Sequence, residues 1–214
     1  MAVTLSPHAL CTLEELKDWL NIASGETSKD DILTSSINRA TSLMESKGCS
    51  DRRLKKRAYV NDPLSIEPDH TVDGMIELKE APVHSVEAVY FDGTLLGAAD
   101  YTVDPAGFVH LEMDPAADQL AKWEGRQIFR VDYTAGYDAI LNPSEWNALN
   151  GIAVEFAAHL YHRSTKSGEA RQGIAAKSSG HVSTSYADSK MIPDSILDAC
   201  EPFKRQRIKP LRMI

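Results

Sequence analysis

Several signatures are missing from this chain, and each absence removes a class of protein. Its three cysteines, Cys11, Cys49 and Cys200, are odd in number, far apart and outside any CxxC spacing. That argues against a disulfide framework or a zinc knuckle and for buried or free thiols. No apolar run approaches the roughly 18 residues of a membrane span. The first ten residues lack a basic segment followed by an apolar stretch, so a secretory signal is not expected and the cytosol is the default. No Walker loop, GxGxxG or GxSxG occurs, and Gly168, Gly173 and Gly180 lack the flanking strand and the Lys-Ser/Thr pair that phosphate cradling needs. The expectation is a protein with no catalytic activity, no cofactor and no bound metal.

What remains is ordinary in amount and unusual in arrangement. With 214 residues, 43% hydrophobic and 25% charged, the chain can bury a real core and is not disordered throughout. Its length allows one domain with an insertion or two small ones. The net charge is −8, yet segments 51–57, 163–190 and 201–214 carry +4, +3 and +4, leaving −19 on the rest. A general DNA binder spreads Lys and Arg over its binding face. An acidic body with basic extensions instead suits a protein that stays dispersed and docks through its ends.

The hydrophobic period changes twice along the chain. Thr12 and Glu15 have capping-box spacing, with Leu13, Leu16 and Leu20 following at helical intervals and Trp19 beside them, which predicts a helix over about 13–21. Ser28 with Asp31 marks a second start, and Leu33, Ile37, Ala40 and Met44 then repeat until Gly48, predicting a helix over about 29–47. From 54 to 137 short runs rich in Val, Ile, Tyr and Phe are broken by Asp, Gly and Pro. They predict strands over 54–60, 75–78, 85–91, 101–103, 108–113 and 127–133, with Asp92-Gly93 as an antiparallel hairpin turn. Helical period returns after Asn142-Pro143, where Trp146, Leu149, Ala153, Phe156 and Leu160 form the cleanest stripe, predicting a helix over about 144–163. The stripe is expected to pack on Leu13, Leu16, Leu33 and Ile37.

The C-terminal part is polar. Residues 164–190 hold seven Ser, two Thr and three Gly, with only Ile174, Val182 and Tyr186 as larger apolar groups. Burial there cannot offset ordering entropy, so a flexible loop is expected. The alternation from His181 to Tyr186 is suited to adding a strand to a partner. A short helix from Pro193 carries Ile196, Leu197 and Cys200 until Pro202 breaks it, and a basic tail follows from Phe203.

Glu155, His159 and His162 have a spacing that can present two imidazoles to one metal, but they are not HExxH and lie off the apolar stripe, so surface histidines explain them more simply. Asp100, Asp104, Asp114, Asp118 and Asp132 could in principle converge on magnesium, although most stand in turn contexts that favour Asp for local hydrogen bonding. Arg52, Arg53, Lys55, Lys56 and Arg57 form the densest cationic run, open to DNA phosphates or to a solvated helix-to-strand junction with Leu54 inward.

The order of these pieces carries more than any one of them. TLEELKDWLNI, then SKDDILTSSINRATSLMESKGC, then APVHSVEAVYFDGTLL, DYTV and FRVDYTAGYD, then a helix ending AAHLYHRS and, further on, IPDSILDACEPFKRQR, resembles the head-tail connector family of tailed bacteriophages, prophages and gene transfer agents. These are also called adaptor or head-completion proteins. The resemblance covers about 12–163 and resumes at the C-terminal segment. It implies an α+β fold: a small helical bundle of three main helices plus a short C-terminal helix, with an antiparallel β insertion between helices 2 and 3. The divisions are then a helical hairpin at 1–53, the insertion at 54–140, the third helix at 141–163, a flexible polar loop at 164–190, and a short helix with docking tail at 191–214.

It further implies a structural virion protein, a ring commonly of twelve copies beneath the portal. The implied partners are the portal protein, other copies of the chain, a tail or stopper protein below and duplex DNA passing through the lumen without sequence-specific contact; no membrane is involved. In the tail, cations alternate with apolar groups that gain nothing from a phosphate backbone. Phe203, Lys204, Arg205, Arg207, Ile208, Lys209, Leu211, Arg212 and Met213 are therefore expected to dock into the portal. His181, Val182, Thr184 and Tyr186 are expected at the subunit boundary. Another tail-assembly component, such as a stopper or tail-completion protein, and a cellular metal-binding enzyme remain as alternatives.

Overall fold

The computed structural model describes residues 3–46, 48–65, 75–91, 93–104, 107–111, 128–165, 176–179, 182–185 and 192–204. They fall into two compact units, one within Met1–Asp51 and Asn142–Lys204 and the other within Arg52–Leu141.

The first unit is built on helices α1 (Leu13–Trp19), α2 (Asp30–Met44), α3 (Pro143–Thr165) and α4 (Asp194–Cys200), the last running into a 3-10 turn over Glu201–Phe203. Helix α1 starts at a reciprocal capping box: Glu15 N donates to Thr12 Oγ1 at 3.2 Å and Thr12 N donates to Glu15 Oε2 at 2.7 Å. Helix α2 starts differently from its expected Ser28 cap. Lys29 occupies the cap position without a side-chain bond, because Ser28 is held by the Glu26 carboxylate through its backbone N at 3.1 Å and through its hydroxyl. Asp30 and Asp31 supply the negative charge that the first turn favours.

Leu16, Leu33, Ile37, Ala40, Met44, Leu149, Ala153 and Phe156 are fully buried, with Leu160 close to it, and α3 packs against both α2 and α1. Leu13 and Trp146, expected in this core, are only half-buried, since each stands in the first turn of its helix at the edge of the packed face. The buried face of α3 is wider than its stripe, including Val154, Ala157, Ala158 and Tyr161.

The second unit contains β1 (Arg57–Ser65), β2 (Met75–Glu77), β3 (Val83–Phe91), β4 (Thr94–Leu95), β5 (Tyr101–Val103), β6 (Phe108–Leu111) and β7 (Ile128–Ala135). They form a four-stranded sheet of order β1-β7-β3-β4 and a three-stranded sheet of order β2-β6-β5, with every pairing antiparallel. Phe129, Val131, Tyr133 and Ala135 alternate inward along β7. Leu64 and Val89 join them from the same sheet, with Val109 from β6 and Leu78 just past β2 completing one core. Phe91 pairs with Thr94 where β3 turns into β4, and Gly93 has the positive φ of 83° that a hairpin turn favours; Asp92 lies outside the described residues. A different demand falls on Gly136, with φ 108°: a Cβ there would lie 2.8 Å from the backbone carbon of Lys55 and the nitrogen of Lys56. The chain passes too close for any side chain, which fixes the glycine of the TAGYD segment.

The stretch expected to be a loop holds two further strands. β8 (Ala176–Ser179) pairs antiparallel with β9 (Val182–Ser185). Period-2 alternation among Ser, Thr and Val is enough to build a backbone ladder.

Candidate interaction surfaces

The basic run is drawn into its own unit. Arg52 Nη1 donates to Ala81 O at 3.1 Å, and Arg53 N donates to Glu80 Oε2 at 2.8 Å. Lys56 Nζ meets Asp138 Oδ2 at 2.8 Å, and Arg57 Nε donates to Lys55 O at 3.3 Å. Leu54 is fully buried among them. Residues 55 and 56 are stitched to the 136–138 segment by a parallel bridge at Tyr137 and by Tyr137 N donating to Leu54 O at 2.7 Å. Asp138 is the knot: its carboxylate takes Lys56 Nζ and the backbone N of Ile140 and Leu141 at 2.9 and 2.7 Å. These donors, the Lys56 ammonium first, hold its carboxyl at about 2, below the usual range.

The described acids of the scattered group take separate partners. Asp100 Oδ2 accepts from Gly97 N at 2.7 Å, Asp132 Oδ1 accepts from Asn61 N at 2.6 Å, and Asp104 faces His110 at 3.9 Å. Asp114 and Asp118 lie outside the described residues. Glu155 and His159 are exposed on α3, and partial desolvation of the ring where it meets the helix surface, followed by the Arg163 charge, lowers the His159 pKa. The His162 ring leans on that of Tyr161 at 5.5 Å. Among the described residues no trio of His, Cys, Asp and Glu is placed to hold a metal, and no helix is long and apolar enough to cross a membrane.

The expected docking residues divide into three groups. Phe203, expected as a portal anchor, is instead only 7% exposed, because the 3-10 turn after α4 carries its ring back into the helical unit. Lys204 is paired with Glu201 one turn earlier. Arg205, Arg207, Ile208, Lys209, Leu211, Arg212 and Met213 lie outside the described residues, as do His181 and Tyr186. Val182 and Thr184 sit in β9 opposite Ser179 and Lys177 of β8.

Two polar centres went unread in the sequence. Lys17, 5% exposed at its side chain, reaches Ser24 O at 3.3 Å, Glu26 O at 2.8 Å and Asp30 Oδ1 at 2.6 Å, pinning the α1–α2 connection. Asp62 accepts from Lys79 Nζ at 2.6 Å and from Tyr133 OH at 3.0 Å, with the Tyr59 ring stacked on Tyr133 at 4.8 Å. Burial, with Asp62 close by, pushes the Tyr133 hydroxyl well above its ordinary range, so it remains a donor. Lys17 carried a weak signal, a cation beside the buried Leu16. The Asp62 centre depends on a register shift between Tyr59 and Asp62 in the β1–β7 pairing, which no local pattern reveals.

Neither protein-family models nor curated proteins match this chain. Among solved structures, it matches a chain of the neck of an empty GTA (gene transfer agent) particle, computed with C6 symmetry. The match has 20% sequence identity and a TM-score of 0.58, and covers 100% of this chain and 98% of the other. The α+β fold is therefore shared along the whole length.

Proposed function

We propose that the chain is a structural virion protein of a phage-like particle, a head-tail connector or adaptor that assembles as a ring of about twelve copies under the portal. The observation that carries this reading is the fold shared end to end with a chain of a GTA particle neck. Likeness over the helical and β parts together is more specific than either motif alone. The ordered segments from TLEELKDWLNI to IPDSILDACEPFKRQR support the same family. The net charge of −8 also fits, since an acidic wall lets duplex DNA slide without adhering.

In this role the subunit extends the DNA channel and links the filled head to a tail or stopper protein. It carries no catalytic step and needs no cofactor. Docking to the portal is assigned to 205–214, where cations alternate with Ile208, Leu211 and Met213. Phe203, which is buried, and Lys204, which pairs with Glu201, are left out of this proposed docking segment.

The test is imaging and co-purification of the protein with and without portal. Rings seated on portals, lost when residues 205–214 are deleted while the helical content stays unchanged, are the expected result. Binding to the tail but not to the portal would place the subunit lower, as a stopper or tail-completion component. Failure to bind either would overturn the reading.

A further inference from the structure

Exposed apolar side chains gather at two places that carry opposite charge. One is the end of the Asp138 turn, where Ile140 is 87% exposed and Leu141 is exposed beside it. Neither belongs to the core, yet the turn that presents them is fixed. The Asp138 carboxylate accepts both of their backbone amides, at 2.9 and 2.7 Å, and holds Lys56 Nζ at 2.8 Å. The cationic segment 52–57 is bridged to this turn at Lys55 and Tyr137. Its five cations, less Asp138 and Glu80, which it meets directly, leave a charge of +3.

The other place is the α1–α2 connection of the helical unit. Trp19, the last residue of α1, is 58% exposed, and Ile32, in the first turn of α2, is exposed as well. Lys17 pins the segment between them through Ser24 O, Glu26 O and Asp30. Val3, also exposed, donates its backbone N to Asp31 Oδ1 at 3.0 Å and so stands beside Ile32. Residues 14–31 hold six acids and two lysines, a charge of −4, and Asp18 and Asp31, the sequence neighbours of Trp19 and Ile32, are both exposed. Elsewhere Val60 and Leu95 are exposed as single strand residues, which is ordinary on a protein surface.

We infer that these two places are the two halves of one contact between copies of this chain: the Ile140–Leu141 turn of one copy docks on the Trp19–Ile32 surface of the next. A closed ring of more than two subunits needs a heterologous contact, in which two different patches of each chain meet. Apolar side chains on both halves give that contact a dry centre. The charges of +3 and −4 orient it and disfavour turn-to-turn or helix-to-helix pairing, where like charges would face each other. Because Asp138 already holds the turn, little freedom is lost when it docks.

Duplex DNA is the weaker candidate for the same turn. Phosphates would use the 52–57 cations but would gain nothing from Ile140 and Leu141. The inference deepens the connector reading by naming the subunit boundary, and it rests on that reading for the ring.

A contact with two unlike halves is tested by complementation. Ile140→Asp disables one half and Trp19→Asp the other, and since both residues are exposed, circular dichroism should show the native fold in each. Self-association of the full-length chain is followed by sedimentation velocity over a range of concentrations. The native chain should form oligomers that weaken with added salt, and each variant alone should associate about tenfold more weakly or worse. An equimolar mixture of the two should form one-to-one dimers and nothing larger, the intact turn of the Trp19→Asp chain seated on the intact surface of the Ile140→Asp chain. A native chain that stays monomeric at every concentration, a variant that assembles like the native chain, or a mixture as dissociated as its components would each overturn the inference. Portal-bound rings formed by a chain that fails these tests would leave the connector reading standing. A chain that passes them but binds neither portal nor tail would remove that reading and keep the contact.

Discussion

The helical and β units solve the same problem, satisfying backbone polar groups, by different means. In the β unit the ladders do most of it, exposed bonds such as those from the Ile140 and Leu141 amides to Asp138 serve its edges, and ion pairs lie at the periphery: Lys79 with Asp62 and Lys56 with Asp138, with lysine side chains 41% and 34% exposed. Helices satisfy themselves internally and leave their connections unprovided. In the helical unit, side chains therefore bond to irregular backbone. Asn38 takes Ser6 N and donates to Thr4 O, both at 2.9 Å, and Thr41 Oγ1 takes Leu10 N at 3.2 Å. Asn150 donates to Leu10 O at 3.1 Å, and Lys17 holds two carbonyls of the α1–α2 connection. Apolar side chains should then matter equally in the two units, whereas polar ones should matter more in the helical one.

Apolar truncation gives the largest effect. Phe156 and Phe129 are both fully buried, so Phe156→Ala and Phe129→Ala should each cost about 3–5 kcal/mol by leaving a cavity. Urea unfolding followed by circular dichroism measures this. A loss below about 1 kcal/mol for either would mean that its side chain does not serve as core.

Backbone crowding comes next and is particular to the β unit. Gly136→Ala adds strain at φ 108° to a clash with the Lys55–Lys56 backbone, for an expected loss of about 2–4 kcal/mol. A neutral result in the same unfolding experiment would show that the 55–56 and 136–138 segments are free to separate.

The lysines test the polar half directly. Lys17→Met should cost about 1–3 kcal/mol, because the Ser24 and Glu26 carbonyls and Asp30 lose a buried donor together. Lys79→Met should cost under about 1 kcal/mol, since the pair is half-exposed and Asp62 keeps Tyr133. Equal losses would erase the distinction between the units.

Much of the local structure was legible because its cause is local. Helices α1, α2 and α3 begin within a residue or two of their expected starts, and Asp92-Gly93 announced the β3–β4 turn. Partners were not legible. Nothing in the period of β1 says that it lies beside β7 rather than β3, because pairing is decided by the core that Leu64, Val89 and Phe129 share. β9 falls within the alternation from His181 to Tyr186, but its partner β8 was hidden, because Ala, Lys and Ser also read as loop. Phe203 was misplaced for the opposite reason: an aromatic after Pro202 and before a run of cations looks like a tail, and only the 3-10 turn returns it to the core. The charge density of 52–57 was plain in the sequence; its partners at 80, 81 and 138 were not.

The smallest effect is a pH dependence, and it belongs to the knot at Asp138. Its folded pKa is about 2 against an ordinary 3.8, so the ionised carboxylate is favoured in the folded chain. A depressed carboxyl contributes stability that is present above its unfolded value and lost as pH falls through the folded one. The loss should therefore run from about pH 4 down to about pH 2. The Asp138 and Lys56 side chains are 23% and 34% exposed, so solvent screening keeps the contribution under about 1 kcal/mol. D138N should accordingly unfold at slightly lower urea than the native chain at pH 6, and the two should converge as the pH approaches 2. Added salt should narrow the gap at pH 6 by weakening the Lys56 attraction, while the Ile140 and Leu141 amides, which an Asn oxygen still accepts, limit the difference from the start. A gap that widens with acid would place the stabilising charge on another group.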